Sequence, residues 1–294
     1  MTKNFAYYRK VLAWSLKYYR AAHDVEIETE NGLLSVSNKD WLMGKQLFVH
    51  REFEIKFIER SIAFLQNEGW LKKEAGKTVL DIGANLGMIG IALIKKGFFD
   101  EVLAFEPSPD SFRLLKKNIR QNNLEQKIRC FNVALSSENA SFEFEIAADN
   151  SGDNRVKLTD EKGKRSEQQR KIIEVTAMTF GNFLNAHRDI NDKLIDLIWL
   201  DIQGHEGHFF KGAADFLKSR KVPCVSEFWG YGIKRAGMTQ DEYCVILQKT
   251  FTHFYYCGGG RFELQEINKI KNLFKTDENP RHIENVIFVN DNKN

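Results

Sequence analysis

A strand-turn-helix pattern between Val79 and Gly87 holds the residues best suited to binding a nucleotide-like ligand. The letters read VLDIGANLG, with Asp81 near the end of an apolar run and Gly83 at the turn. Gly83 allows the main chain to approach a ligand closely, and the helix that starts after Gly87 directs free N–H groups towards the same place. With Gly90 the spacing is G-x-x-x-G-x-x-G, which is not the dinucleotide fingerprint. The turn therefore predicts a nucleotide-like ligand without identifying it.

Two more polar positions follow the next two predicted strands. Glu106 ends the run LAFE, 19 residues after Gly87, where a carboxylate is placed to accept both hydroxyls of a ribose. Asn132 and Ala134 lie near the end of the third predicted strand, KIRCFNVAL, where an amide and main-chain groups can bind an adenine edge. Since the carboxyl ends of parallel strands meet at one edge of a sheet, these features together predict a pocket for an adenosine.

Short β-rich runs alternate with helical stretches from residue 78 onwards. Examples are TVLDI before MIGIALIKKG, and EVLAFE before PDSFRLLKKNIRQN. Strand, helix and strand in this order predict right-handed crossovers and a mostly parallel sheet covered by helices on both faces. The runs TVLDI and LIWLDI stay apolar until an Asp appears near their ends, which indicates buried strands that open into a crevice. The predicted fold class is therefore α/β.

Residues 1–70 are predicted to form a helical and hairpin extension that packs on a core domain of residues 71–294. Residues 25–37 alternate in the manner of two strands around Asn31-Gly32, a dipeptide that favours a hairpin turn. The extension precedes the region where strands and helices begin to alternate, so we treat it as an addition to the main sheet.

The first segment of the extension, residues 4–22, reads as an amphipathic helix. Its apolar residues recur at three- and four-residue spacing: Phe5, Tyr8, Leu12, Leu16 and Tyr19. We expect this face to pack on the chain's own domain. The alternative is contact with a membrane surface or a partner chain, favoured by the basic residues of the same segment.

A long polar stretch interrupts the alternation of strands and helices. Phe142, Phe144 and Ile146 alternate like a strand, but Asp149 to Lys171 is almost entirely polar and closes with DEKGKRSEQQRK. Charges of both signs predict a solvated loop here. The alternative is a mobile cover over the site.

Composition excludes several classes of protein. The 294 residues include 43 Lys and Arg against 40 Asp and Glu, a net charge of +3 that argues against a dedicated nucleic-acid binder. No run of about 18 apolar residues predicts a membrane span, and the first 20 residues carry too much charge for a signal peptide. The four cysteines form neither a CxxC pair nor a disulfide framework. We therefore expect a cytoplasmic protein.

Together, the motifs resemble those of S-adenosylmethionine-dependent methyltransferases of the FkbM family. VLDIGANLG, LAFEPSPDSF, NVALSS and DLIWLDIQGHE carry the resemblance, which spans about residues 48–290. It implies a Rossmann-like seven-stranded sheet with an antiparallel last strand, and methyl transfer to a hydroxyl of a glycan or small metabolite. On the matching positions it implies these residues for binding S-adenosylmethionine: Asp81, Gly83, Asn85, Gly87, Glu106, Pro107, Asn132, Ala134 and Asp201.

The fourth motif departs from the family pattern, which resembles L-K-[IV]-D-[VI]-E-G-x-E. Trp199 stands at the lysine position and Gln203 at the first glutamate position, whereas Asp201 and Glu206 are kept. If the lysine and glutamate form an ion pair in relatives, losing both costs less than losing one, because no lone buried charge remains. The departure bears on the acceptor and on the general base rather than on the cofactor.

Methyl transfer to a hydroxyl requires a base that takes its proton. The catalytic candidates Asp201, His205 and Glu206 all follow the fourth predicted strand. His205 is the preferred base, because an unperturbed pKa of about 6.5 suits a proton acceptor at neutral pH. The alternative is a histidine that bonds to the main chain at the start of a helix.

The acceptor is predicted to contact Gln203, Glu227 and Trp229, which border the same crevice. A ring and a carboxylate are suited to holding a sugar, although plain packing is the alternative for Trp229. His205 and His208 share a helix face, but H-E-G-H is not the H-E-x-x-H of zinc proteases. We expect no required metal; the alternative is a divalent ion held by carboxylates, as in some sugar O-methyltransferases of related fold.

Two other functions are compatible with parts of the pattern. A nicotinamide-dependent oxidoreductase also uses a glycine turn, but that class often adds a Tyr-x-x-x-Lys pair, and no tyrosine here has a lysine four residues later. A binding protein of the same fold with little or no turnover is permitted by Trp199 and Gln203. The sequence specifies neither the acceptor nor the oligomeric state.

Overall fold

A computed structural model gives the fold and describes residues 2–72, 77–160, 163–164, 167–276 and 279–291. Its helices and strands follow in chain order: α1 (Thr2–Tyr18), β1 (Asp24–Thr29), β2 (Gly32–Ser37), α2 (Trp41–His50), α3 (Ile55–Asn67), β3 (Thr78–Ile82), α4 (Met88–Lys95), β4 (Glu101–Phe105), α5 (Pro109–Gln121), β5 (Ile128–Phe131), β6 (Ala134–Leu135), β7 (Ala140–Ile146), β8 (Arg155–Val156), β9 (Lys171–Met178), α6 (Phe180–Ala186), β10 (Ile195–Leu200), α7 (Glu206–Gly212), α8 (Ala214–Arg220), β11 (Cys224–Phe228), α9 (Gly230–Arg235), α10 (Gln240–Thr250), β12 (His253–Gly258), β13 (Arg261–Glu266) and β14 (Glu284–Val289).

Eight strands of the described chain form the main sheet, in the spatial order β13-β12-β14-β11-β10-β3-β4-β5. The strands from β11 to β5 are mutually parallel, and the last strand, β14, is antiparallel to β11 and β12. These findings confirm the α/β class, the mostly parallel sheet and its antiparallel last strand. The predicted number of seven strands is wrong, because β13 adds an antiparallel edge strand. Its sequence, RFELQE, is largely exposed and lacks the apolar run of the others.

A smaller sheet of four strands lies beside the main one, in the order β6-β9-β7-β8. KIRCFNVAL is therefore not one strand as expected. The chain leaves the main sheet after Phe131, and Ala134-Leu135 pairs with β9 in the smaller sheet. The predicted strand through Phe142 and Phe144 is confirmed as β7.

The main sheet separates two apolar cores. Val79 and Leu80 are neighbours in β3, are both fully buried, and belong to different cores. This is the burial that the apolar run TVLDI predicted. Trp14 of the N-terminal extension belongs to the same core as Val79, while the domain boundary at residue 70 stays a prediction.

The predicted hairpin is confirmed, with β1 and β2 paired from Asp24–Ser37 to Thr29–Gly32. Its turn therefore lies at Glu30-Asn31, one residue earlier than expected. The buried Asn31 amide donates hydrogen bonds to the carbonyl oxygens of Phe53 and Met88, each at 3.0 Å. The hairpin is thereby tied to α4, the helix that follows the glycine turn.

The predicted N-terminal helix is present as α1, but the face that we expected to pack is exposed. Trp14 is fully buried and contacts Phe48 of α2, with ring centroids 5.5 Å apart. The residues of the expected packing face are 61–82% exposed instead: Phe5, Tyr8, Leu12, Leu16 and Tyr19. The helix therefore does pack on the rest of the chain, but the predicted packing face is wrong, because Trp14 lies on the opposite side of the helix.

The contact between α1 and α2 can be tested at Gly44. A Cβ there would lie 2.0 Å from Cζ2 of the buried Trp14 ring. Gly44→Ala should lower the free energy of unfolding by about 1–3 kcal/mol through overpacking, although alanine normally stabilises a helix by about 1 kcal/mol over glycine. Urea unfolding measures this change.

Gly181→Ala in α6 is the matched control, since a Cβ there has nothing within 4 Å. We expect this control to be neutral or slightly stabilising. Equal stabilisation by both substitutions would contradict the packing of Trp14 on Gly44.

Candidate functional site

A cleft opens at the carboxyl ends of β3, β4, β10 and β11 and encloses about 260 Å³. The chain runs outwards from β3 to β5 and returns at β10, beside β3, so the strand order reverses at this cleft. Ligands of open α/β sheets bind at such a reversal. Most of the predicted site residues line the cleft: Asp81, Gly83, Asn85, Glu106, Pro107, Ala134, Asp201, Gln203, His205 and Glu227.

The glycine turn and the acid of the second strand meet directly. The Asn85 N–H donates to Oε2 of Glu106 at 2.9 Å, and the Ser108 N–H donates to Oε1 at 2.8 Å. Burial raises the pKa of Glu106 to about 7, while these two hydrogen bonds oppose the rise. Each carboxylate oxygen keeps a further lone pair for a ligand hydroxyl.

Gly83 is required for a reason that differs from the expected one. It has φ +87°, and a Cβ there would lie 1.8 Å from the carbonyl oxygen of Asp201. The turn after β3 and the loop after β10 therefore cross in main-chain contact, and a side chain at Gly83 would force them apart. Gly87, at φ +86°, packs against Leu115 of α5, and it is not among the described residues that line the cleft.

Asp81 and Asn85 present oxygen atoms at the base of the cleft. Oδ2 of Asp81 accepts the Gly90 N–H at 3.1 Å, and burial raises the pKa of Asp81 to about 7. Asn85 has a left-handed main chain with φ +47°, and its buried Oδ1 has no hydrogen-bond partner in the described part of the chain. An unpaired buried oxygen is costly, so a donor from a ligand would stabilise this site.

Asn132 supports the cleft from outside. Its amide donates to the carbonyl oxygens of Glu106 and Pro107, at 2.9 and 3.0 Å. The amide thus holds the loop after β4, while Pro107 and Ala134 line the cleft itself.

Gln203 joins two acidic side chains at the tips of β10 and β11. Its Nε2 donates to Oδ1 of Asp201 at 2.7 Å and to Oε2 of Glu227 at 2.9 Å. Desolvation raises the pKa of Asp201. The pKa of Glu227 is raised well above its usual value by desolvation and by the neighbouring Asp201. A glutamate in place of Gln203 would bring a third carboxylate to this point. Trp199 lines the cleft beside them and contacts Phe57 edge-on at 5.7 Å.

His205 lines the cleft as a buried, neutral ring. Its Nε2 lies 2.9 Å from the Ser136 hydroxyl oxygen, and its Nδ1 has no partner among the described residues. Burial, with the stacked His208 ring 4.4 Å away, lowers the pKa of His205 well below 6.5. That shift removes the reason for preferring His205 as the base. Ser136 lies in the motif NVALSS but was not predicted as a site residue, because its contact with His205 spans 69 residues of sequence.

Two other predicted residues serve the packing of the site. Oε1 of the buried Glu206 accepts the N–H groups of Ile202 and Gly204, each at 3.2 Å, and Glu206 is absent from the described cleft lining. Trp229 is fully buried and its indole N–H donates to the Pro280 carbonyl at 3.0 Å. The packing interpretation of Trp229 is the one that agrees with its position.

The polar stretch after β7 covers one side of the cleft. Residues 150–156 line it, and the buried Arg155 bonds to Glu145, Asp153 and Glu167 at 3.2, 3.1 and 3.0 Å. The expected solvated loop is therefore wrong for this part of the segment, and the cover interpretation agrees with its position. Residues 161–162 and 165–166 lie outside the described residues. Sequence reasoning missed Arg155 because its three acidic partners follow no local spacing.

The comparisons with known proteins identify the family. The profile of the FkbM methyltransferase domain matches residues 81–273, well over half of the chain. The chain belongs to the FkbM methyltransferase family. This confirms the predicted family and agrees with the predicted cofactor, S-adenosylmethionine.

Individual relatives are distant. The 2-O-methyltransferase NoeI of Sinorhizobium fredii is 25% identical over 155 residues, which cover 50% of this chain and 61% of the relative. Methyltransferase 1 of Beauveria bassiana is 22% identical over 175 residues, which cover 56% of this chain and 69% of the relative. A solved FkbM methyltransferase of Methylobacillus flagellatus has 15% identity and a TM-score of 0.45, covering 95% of this chain and 59% of its own.

Two further structural findings concern metals and membranes. Within the described ranges, no group of three His, Cys, Asp or Glu side chains is arranged to hold a metal ion. No helix in the described residues is long and apolar enough to cross a membrane.

The raised pKa of Glu206 predicts a pH-dependent stability. Its pKa is about 7 in the folded protein, chiefly because of burial, against 4.5 for the ordinary side chain. The folded state then holds the proton more tightly, so this group lowers stability as pH rises from 4.5 to 7. Glu206→Gln removes the effect. Relative to wild type, we expect the free energy of unfolding of this variant to rise by about 2–3 kcal/mol as the pH is raised from 5 to 8.

Denaturant unfolding at several pH values measures this gain. Glu125→Gln, at an exposed turn, is the matched control. A constant difference between Glu206→Gln and wild type across the pH range would show that Glu206 is not shifted upwards.

Proposed function

We propose that the protein transfers a methyl group from S-adenosylmethionine to a hydroxyl oxygen of a glycan or other small metabolite. The observation that carries the proposal is the contact of the Asn85 N–H with the buried Glu106, inside a cleft of a family member. The name of the relative NoeI, a 2-O-methyltransferase, supports oxygen as the acceptor atom.

The residues of the cleft fit this cofactor. Glu106 offers one free lone pair on each oxygen for the two ribose hydroxyls, and Pro107 and Ala134 border the adenine side. Asp81 and the unpaired Asn85 Oδ1 suit the ammonium group of the methionine part. A cleft lined by carboxylates also favours a ligand that carries positive charge on nitrogen and sulfur.

The cofactor supplies a methyl group on a sulfonium, which is already a good leaving group. The protein's task is to align the acceptor oxygen, exclude water and take the hydroxyl proton. Asp201 is the base that the geometry favours, because it lines the cleft and desolvation raises its pKa above the ordinary value of an aspartate. His205 has the opposite shift and instead bonds to Ser136.

The acceptor side of the cleft is formed by Gln203, Glu227 and the cover at residues 150–156. Gln203 holds Asp201 and Glu227 together, so it is positioned to fix the base against the acceptor. A cytoplasmic location is part of the proposal and is supported by four free cysteines.

Two measurements distinguish methyl transfer from the alternative functions, an oxidoreductase and a binding protein without turnover. Calorimetry should detect binding of S-adenosylmethionine and not of NAD(P)H. Binding of NAD(P)H would favour an oxidoreductase. Release of S-adenosylhomocysteine should then rise when glycans or hydroxylated metabolites are added. Tight cofactor binding with no release across a broad acceptor panel would favour a binding protein without turnover.

Loss of the Glu106 carboxylate should weaken cofactor binding. Glu106→Gln should raise the Kd for S-adenosylhomocysteine by more than about tenfold, because a charge-assisted contact to the ribose is removed. Calorimetry measures the affinity, and thermal unfolding checks that the turn persists. Glu101→Gln, at the opposite end of β4, is the control. Equal affinity for the wild type and Glu106→Gln would refute the assigned ribose site.

Two substitutions locate the base. Asp201→Asn should lower kcat by about 10²–10⁴-fold, because general-base catalysis contributes factors of that size. In the wild type, kcat should fall as the pH drops through the raised pKa of Asp201, and the variant should lose this limb. His205→Ala should lower kcat by a smaller factor than Asp201→Asn. A larger loss of kcat for His205→Ala than for Asp201→Asn would show that His205 is the general base.

A further inference from the structure

Helix α1 presents an apolar stripe that the fold leaves uncovered. We call it the α1 stripe, and its residues are Phe5, Tyr8, Leu12, Leu16 and Tyr19. Their exposed fractions run from 61% to 82%. They recur at three- and four-residue spacing and therefore share one side of the helix. A continuous exposed apolar surface of this kind marks a binding surface more often than an accident of folding.

The stripe faces away from the body of the protein. The opposite side of α1 carries Trp14, which is fully buried against Phe48 and Gly44. Helix α1 is therefore apolar on two sides, of which the fold uses one. No described residue of α1 lines the cleft, so the function of the stripe is independent of the proposed methyl transfer.

The charge of α1 indicates what covers the stripe. Arg9, Lys10 and Arg20 are exposed, and no acidic residue precedes Asp24 in the sequence. Helical geometry places Arg9 along one border of the stripe, and Arg20 lies just after α1, which ends at Tyr18. Lys10 lies further round, where its Nζ donates to the Val49 carbonyl at 3.2 Å.

We propose that the α1 stripe binds the surface of an anionic membrane, with the helix lying in the plane of the interface. The aromatic and leucine side chains enter the boundary between headgroups and acyl chains, where tyrosine rings are favoured. Arg9 and Arg20 contact the lipid phosphates, and their long stems allow the charges to stay in water. An apolar stripe bordered by cations, without acids, complements this surface in both polarity and charge.

Vesicle flotation of the full chain tests the proposal. We expect binding to vesicles of phosphatidylcholine with phosphatidylglycerol, and at least roughly tenfold weaker binding to phosphatidylcholine alone. High salt should weaken binding to the anionic vesicles. Leu12→Ser with Leu16→Ser should reduce binding about tenfold or more, and Arg9→Ser with Arg20→Ser should abolish the preference for anionic lipid.

Matched controls come from exposed apolar residues elsewhere. Val245→Ser in α10 and Leu264→Ser in β13 replace side chains that are 45% and 54% exposed, and they should leave vesicle binding unchanged. All the substituted positions are at the surface, so thermal unfolding should be unaltered. Absence of wild-type binding to anionic vesicles would overturn the proposal, and so would equal binding by the wild type and the leucine variant (Leu12→Ser with Leu16→Ser). A wild-type dimer in sedimentation that the leucine variant dissolves, without vesicle binding, would assign the stripe to a second copy instead.

Discussion

One buried carboxylate organises the cleft. Glu106 accepts an N–H group from the turn after β3 and another from the loop after β4, so a single side chain fixes the distance between two strand tips. Asn132 adds two hydrogen bonds to the main chain beside it. Burial of a charge is unfavourable unless hydrogen bonds or a cation compensate it. The group that positions the loops is therefore also stabilised by a ligand with hydroxyl donors.

The parts of the site that follow local rules could be predicted from the sequence. Asp81, Gly83 and Glu106 were found because a buried parallel strand is a short apolar run and its ligand-facing residue comes at the end. The family departure at Trp199 and Gln203 was also visible. The consequence of that departure was not, since the bridge from Gln203 to Asp201 and Glu227 depends on how two strands that are distant in sequence lie side by side.

Other features could not be predicted because they depend on tertiary contacts. The spacing of apolar residues in α1 correctly predicted a helix but did not show which of its two apolar faces is buried. The buried face is the one that carries Trp14. The strand β13 is polar and exposed, so periodicity carried little signal. The polar segment looked solvated because a buried ion-pair cluster around Arg155 has the composition of a surface loop. The pKa of His205 likewise depends on burial that no motif reveals.

The contact between Gly83 and the Asp201 carbonyl changes what the glycine of this motif reports. Two main chains touch there, so a larger residue is excluded by the architecture whether or not anything occupies the cleft. A relative that had lost catalysis would still be under pressure to retain this glycine. Its presence in a newly sequenced gene is thus a marker of shared ancestry and shape, and enzymatic competence must be judged from the carboxylates around it.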